Sequence, residues 1–100
     1  MAVHLQFPPD TLTEFCRRWR VRTLAVFGSA LRDDFGPESD VDFLVQFEPG
    51  ARWDLWDLSD MHDELAALIG RPVDLVEEEA LRNPYRKREI LATREVVYAA

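Results

Sequence analysis

Apolar residues recur along the chain with two periods, and each change of period marks a new element. Leu12, Phe15, Cys16 and Trp19 fall at i, i+3, i+4 and i+7, one helical stripe. Thr11 and Glu14, three apart, have the form of a capping box and predict the helix start. Arg17, Arg18, Arg20 and Arg22 lie mostly off the stripe and read as a solvated face. Residues 23–27 are β-branched and apolar and predict a buried strand. Residues 29–35 have room for about two helical turns, stopped by Gly36 and Pro37. Val41, Phe43, Val45 and Phe47 then alternate with Asp42, Leu44 and Gln46, a strand with one face to the core. Glu48-Pro49-Gly50 turns the chain.

Residues 53–69 predict the longest helix. Leu55, Leu58, His62, Leu65 and Ile69 share its inner face, Met61 and Leu68 flank it, and Gly70 caps it. Trp53 and Trp56 fall off that face, and packing under a loop or facing a partner fits them equally. Residues 72–76 predict a third strand, with Val73 and Leu75 opposed to Asp74 and Val76. Asn83-Pro84 predicts a capped helix to about residue 93, and residues 96–98 a short last strand or a packed segment. The pattern is α+β: a small mixed sheet of three or four strands with helices mainly on one face. That leaves Leu44 and Val76 near an exposed apolar patch.

Chemistry concentrates between the first two strands. Gly28 allows a sharp turn and close approach of a ligand. Ser29 stands at a predicted helix N-terminus, where free N–H groups favour phosphate. Arg32, one turn on, can reach phosphate oxygens, and Ser39 supports the turn into Asp40. Asp40 and Asp42 are two apart on a strand and point to one face. Such close carboxylates repel unless a cation lies between them, and Mg²⁺ shares its shell with substrate phosphates. The combination predicts metal-assisted chemistry on a nucleoside triphosphate. Because these groups must meet, the first two strands are expected to run antiparallel. His62 reads as a hydrogen-bonded boundary residue, with a general base as the alternative. Cys16 reads as buried packing.

Composition narrows the function. One hundred residues predict a single domain, residues 1–100. No apolar run is long enough to span a membrane, and the N-terminus lacks the features of a signal peptide. One cysteine excludes an internal disulfide and fits the cytoplasm. A net charge of −7 argues against free nucleic acid as a partner. Arg82, Arg86, Lys87 and Arg88 form the one dense basic cluster, read as a solvated face or as a contact for triphosphate or an acidic partner.

Gly28-Ser29 followed by Ser39-Asp40-Val41-Asp42 resembles the signature of the nucleotidyltransferase superfamily that includes DNA polymerase beta. The chain length and Arg71-Pro-Val-Asp74-Leu-Val resemble its smallest members, the minimal nucleotidyltransferases (MNT) paired with HEPN toxins. The resemblance covers nearly the whole chain and implies the polymerase beta palm-like fold. It implies catalytic and metal-binding roles for Asp40, Asp42 and Asp74, two Mg²⁺ ions, and ATP held by Gly28, Ser29, Arg32 and Ser39. It further implies an antitoxin that adenylylates (AMPylates) a hydroxyl, a tyrosine's by expectation, of a HEPN-type toxin, in a homo- or hetero-oligomer. The alternatives are a non-catalytic antitoxin acting by occlusion and an enzyme modifying a small molecule. The chain is expected to lack the larger members' second domain, which counts against the small molecule. The chain departs from the family where Asp33 replaces the usual glycine after Arg32, adding negative charge near the phosphate site.

Overall fold

The computed structural model describes residues 8–28 and 40–100. Its element order is α1 (Pro9–Arg18), β1 (Val21–Phe27), β2 (Val41–Phe47), α2 (Leu55–Ile69), β3 (Val73–Glu77), α3 (Pro84–Thr93) and β4 (Glu95–Ala99). A single turn of 3₁₀ helix, Glu78–Ala80, links β3 towards α3. The strands form one mixed sheet in the order β3-β2-β1-β4. β1 is antiparallel to β2 and to β4, while β2 and β3 are parallel. Parallel neighbours need a long crossover. Here α2 supplies it, and its apolar side settles on the sheet.

The main core lies between the sheet and the pair α1 and α2. Val41, Phe43 and Val45 of β2 meet Leu24 and Val26 of β1, Phe15 and Cys16 of α1, and Met61 and Leu65 of α2. This is the face that the alternation in β2 predicts. Helix α1 is tied to α2 at Glu64, which accepts from the Trp19 indole N–H at 3.1 Å and pairs with Arg18.

Two local expectations are corrected and one open choice is decided. Helix α1 starts at Pro9, not at Thr11, and no side chain caps it. Proline at the first helical position has its φ already set and no N–H to satisfy, which outweighs the capping box. Helix α2 starts at Leu55, capped by a box formed by Asp54 and Asp57. Leu55 is 82% exposed instead of sharing the inner face, which centres on Met61 and Leu65. The tryptophans divide: Trp53 packs edge-on against Trp19 with centroids 5.1 Å apart, whereas Trp56 is 80% exposed.

The opposite face of the sheet carries a second, smaller core. Ala25, Phe27 and Leu44 are covered by Ile90 of α3, with Val76, Leu81 and Leu91 around them. Leu44 is only 3% exposed, so the expected open patch around it is corrected. One helix is enough because Ile90 and Leu91 of α3, with Leu81 before it and Val76 of β3, close over this small cluster. α3 is held in place by the expected Asn83 cap, whose side chain accepts from the Tyr85 and Arg86 N–H groups. Among the described residues no helix is long and apolar enough to cross a membrane.

Burial also settles Cys16. It is fully buried in the main core, and loss of solvation pushes its thiol up to about 12. A thiol reagent at pH 8 is therefore expected to leave the folded protein unmodified and to label one equivalent in denaturant. Rapid labelling of the native protein would contradict this burial.

Candidate active site

Strand register decides which residues meet. Phe27 at the end of β1 pairs with Asp42 near the start of β2, and Asp42 pairs with Asp74 of β3. Both aspartates lie on the sheet face opposite α1 and α2, because each alternates with residues of the main core. Asp40 stands immediately before β2 and is exposed to solvent, as is Asp74; Asp42 is half-buried. The antiparallel meeting of β1 and β2 is the arrangement that the site requires.

Gly28 follows Phe27 and closes on the same point. Its φ is +71°, and a Cβ built there falls 2.5 Å from Asp42 Oδ2. Only glycine leaves the carboxylate this room. Gly28, Asp42 and Asp74 therefore run side by side across three adjacent strands. Ser29, Arg32, Asp33 and Ser39, with the helix expected over residues 29–35, lie outside the described residues.

The donor set suits a hard divalent cation in kind, since all its ligands are carboxylate oxygens. The in-register pairing of Asp42 with Asp74 suits it in position, because like charges opposite each other on neighbouring strands are unfavourable without a counter-charge. Among the described residues no three His, Cys, Asp or Glu side chains converge into a metal-ligating cluster. The aspartates are thus aligned on the strands without being closed into a cage.

His62 lies close by but is bound in two directions. Its Nε2–H donates to the Val73 carbonyl at 2.9 Å, and Nδ1 lies 3.2 Å from Asp63 Oδ1. A carbonyl can only accept, so Nε2 carries a proton, and the imidazolium satisfies both neighbours at once. The pKa is raised above 6.5, first by the Asp63 hydrogen bond, then by the Val73 carbonyl; burial opposes, and the charges of Asp63 and Asp74 add. The boundary reading of His62 is the one its geometry supports. A proton-resolved titration is expected to give a midpoint above about 6.5, moved down most by Asp63→Asn. A raised folded pKa contributes stability below the unfolded value, and this is lost as pH rises through the folded pKa. The increment belongs to a half-exposed ring, so stability should decline only slightly as pH rises from 6.5. A midpoint at or below 6.5 would contradict both hydrogen bonds.

The sequence matches the nucleotidyltransferase domain family over residues 9–97, almost the whole chain. The chain belongs to that family. The nucleotidyltransferase is 39% identical over 85 residues to protein adenylyltransferase MntA of Thermococcus cleftensis, covering 85% of this chain and 81% of that one. A solved minimal nucleotidyltransferase superposes with a TM-score of 0.69 at 32% identity, covering 87% of this chain and 86% of the other. The MNT antitoxin fold also appears in a complex from Shewanella oneidensis with a tri-AMPylated HEPN toxin. The match there has a TM-score of 0.64 at 15% identity and covers 92% of this chain and 70% of that one. These likenesses bear out the α+β fold and the family resemblance read from Gly28, Asp40, Asp42 and Asp74.

The sequence reading missed the contact between Gly28 and Asp42 as a contact. Its signal was present in the spacing: Gly28 follows the first strand and Asp42 opens the second, and these ends must meet if β1 and β2 are antiparallel.

Proposed function

We propose that this nucleotidyltransferase moves AMP from ATP to a tyrosine hydroxyl of a HEPN-type toxin and thereby acts as its antitoxin. The observation that carries the reading is the line Gly28, Asp42, Asp74 across β1, β2 and β3, with Asp42 pressed against a glycine and paired with a second carboxylate. Its similarity to a protein adenylyltransferase supports a protein acceptor. An AMPylated HEPN toxin bound to a protein of the same fold supports the partner. A single, buried thiol suits the reducing cytoplasm.

In this reading Gly28, Ser29 and Arg32 hold the β- and γ-phosphates, with Ser39 supporting the turn. Asp40, Asp42 and Asp74 would hold Mg²⁺, two ions by expectation, which when bound offsets the charge of the triphosphate and lowers the pKa of the acceptor hydroxyl. The acceptor oxygen attacks the α-phosphorus of ATP. The bond from that phosphorus to the bridging oxygen breaks, and pyrophosphate leaves. The hydroxyl proton passes to a carboxylate oxygen of Asp74. Phosphoryl transfer of this kind depends mainly on positioning and charge, which these residues supply. An attached AMP adds bulk and negative charge, opposing RNA binding by a toxin as phosphorylation can.

The test is to incubate the chain with ATP, Mg²⁺ and a HEPN-type toxin from its own genome, then weigh the toxin. A gain of one or more AMP groups, absent with Asp40→Ala, is the expected result. Neutralisation without a change of mass, equal in wild type and Asp40→Ala, would establish occlusion instead.

A further inference from the structure

One end of the sheet gathers the end of β1 and the starts of β2, β3 and β4. Phe27 pairs there with Asp42 on one side. On the other side Val26 pairs with Glu95, so the next step of the antiparallel ladder sets Phe27 opposite Arg94. Asp74, Asp42, Phe27 and Arg94 therefore form one row across the sheet, with Gly28 just beyond Phe27. Arg94 is the residue between α3 and β4. Its guanidinium stays on the face that carries the aspartates. Nη1 donates to the Leu91 carbonyl at 3.5 Å, and Leu91 belongs to the core that α3 makes with Phe27 and Leu44 on that face. That contact is long for a hydrogen bond, and a guanidinium has five N–H donors. Half-buried Arg94 thus keeps most of its donors for another acceptor. Among the described residues no ion pair uses it.

We propose that Arg94 is a further substrate-binding residue, which grips the terminal phosphate of a nucleoside triphosphate whose α-phosphate lies at Asp42. The proposal rests on the transferase reading above and adds a contact on the far side of the Gly28 turn. The row orders the charges: carboxylates on β3 and β2, the glycine turn after β1, a cation before β4. A triphosphate lies along it with its metal-bound, reacting end at the carboxylates and its free end at the cation. The reverse direction would set the terminal phosphate against Asp74 and leave Arg94 without an anion. From β2 to β4 is two strand spacings, about 10 Å, which a polyphosphate and an arginine side chain bridge from opposite ends. A guanidinium binds phosphate through two parallel N–H···O bonds, which an ammonium cannot do. Charge gathers on the pyrophosphate as it leaves, and Arg94 offsets it at the end remote from the carboxylates. The basic cluster read from the sequence stops at Arg88; only the pairing of β1 with β4 brings Arg94 to the site.

The full chain, as wild type, Arg94→Gln and Arg94→Lys, is titrated calorimetrically with ATP and with ADP in the presence of Mg²⁺. ADP lacks the phosphate that Arg94 grips and serves as the control. Arg94→Gln is expected to bind ATP at least about tenfold more weakly, the loss of a charge-assisted hydrogen bond, and to bind ADP as wild type does. Arg94→Lys keeps the charge without the fork and should fall between. The KM for ATP in AMP transfer should rise in Arg94→Gln by the same factor as its affinity falls. A merely structural role would weaken both nucleotides alike. That result, or unchanged ATP binding, overturns the assignment of Arg94, and AMP transfer by the wild type would still leave the transferase reading standing. A wild type that binds ATP through Arg94 but adds no AMP to the toxin supports the contact and removes the transferase.

Discussion

Asp42→Asn is expected to lower AMP transfer on the order of 10³-fold or more, because it removes charge where the reaction concentrates it. Asp42 pairs with Phe27 on one side and Asp74 on the other, so it sits at the middle of the site. Asparagine keeps the shape and loses the charge. The substitution also removes one of two carboxylates that face each other in register, an arrangement that weakens strand pairing. The melting temperature should therefore change by no more than about 5 °C, the shift that about 1 kcal/mol gives in a domain of this size. Transfer is followed by the mass of the toxin over time, and folding by a thermal melt. An Asp42→Asn protein with activity within about tenfold of wild type would remove this residue from the centre of the mechanism.

Gly28→Ala should lose both stability and activity, through two separable terms. The first is conformational: φ is +71°, and a left-handed residue with a Cβ costs about 1–2 kcal/mol. The second is contact: the Cβ would lie 2.5 Å from Asp42 Oδ2 and 3.5 Å from its Cγ. Something must move, and the carboxylate at the far end of the flexible Asp42 side chain is what gives. Together these predict a melting temperature lower by about 5–20 °C, at roughly 4–8 °C for each kcal/mol. A carboxylate displaced by about 1 Å predicts a loss of activity near 10²-fold. Gly70→Ala separates the terms. Gly70 has a φ of +81°, but a Cβ there meets nothing within 4 Å. That variant should show the strain alone: a lower melting temperature with wild-type activity per folded molecule. Equal loss of activity in both variants would show that the Gly28 contact has no bearing on the site.

Pattern along the chain was enough to place the elements, though not all their ends, and to single out the candidate site. Alternation of Val41, Phe43 and Val45 against Asp42 and Leu44 decides both faces of β2, since a strand has period two and a one-residue slip would bury the carboxylate. The same rule put Asp74 opposite Val73 and Leu75. Asn83-Pro84 marked the start of α3 because each residue suits only that position. Gly28 with Asp40 and Asp42 was legible because a tight turn and two like charges on one face are both costly without a ligand. What failed were choices between competing local signals. Thr11 and Glu14 formed a plausible cap, but Pro8 and Pro9 had already fixed the backbone before them.

The tertiary structure alone decided what meets across space. Nothing within residues 84–93 says that Ile90 will cover Leu44, because burial of one apolar residue on a mostly polar helix depends on where the helix lands. Trp53 and Trp56 lie three residues apart, and it is the docking of this segment beside α1 that sets Trp53 against Trp19 and leaves Trp56 exposed. Pairing of Asp42 with Asp74 required the register of a parallel pair closed by a helical crossover, a contact between residues 32 apart. Local pattern governs which face a side chain takes. Register and docking are set by long-range packing, and so the site's parts could be read in order along the chain while its geometry came from the fold.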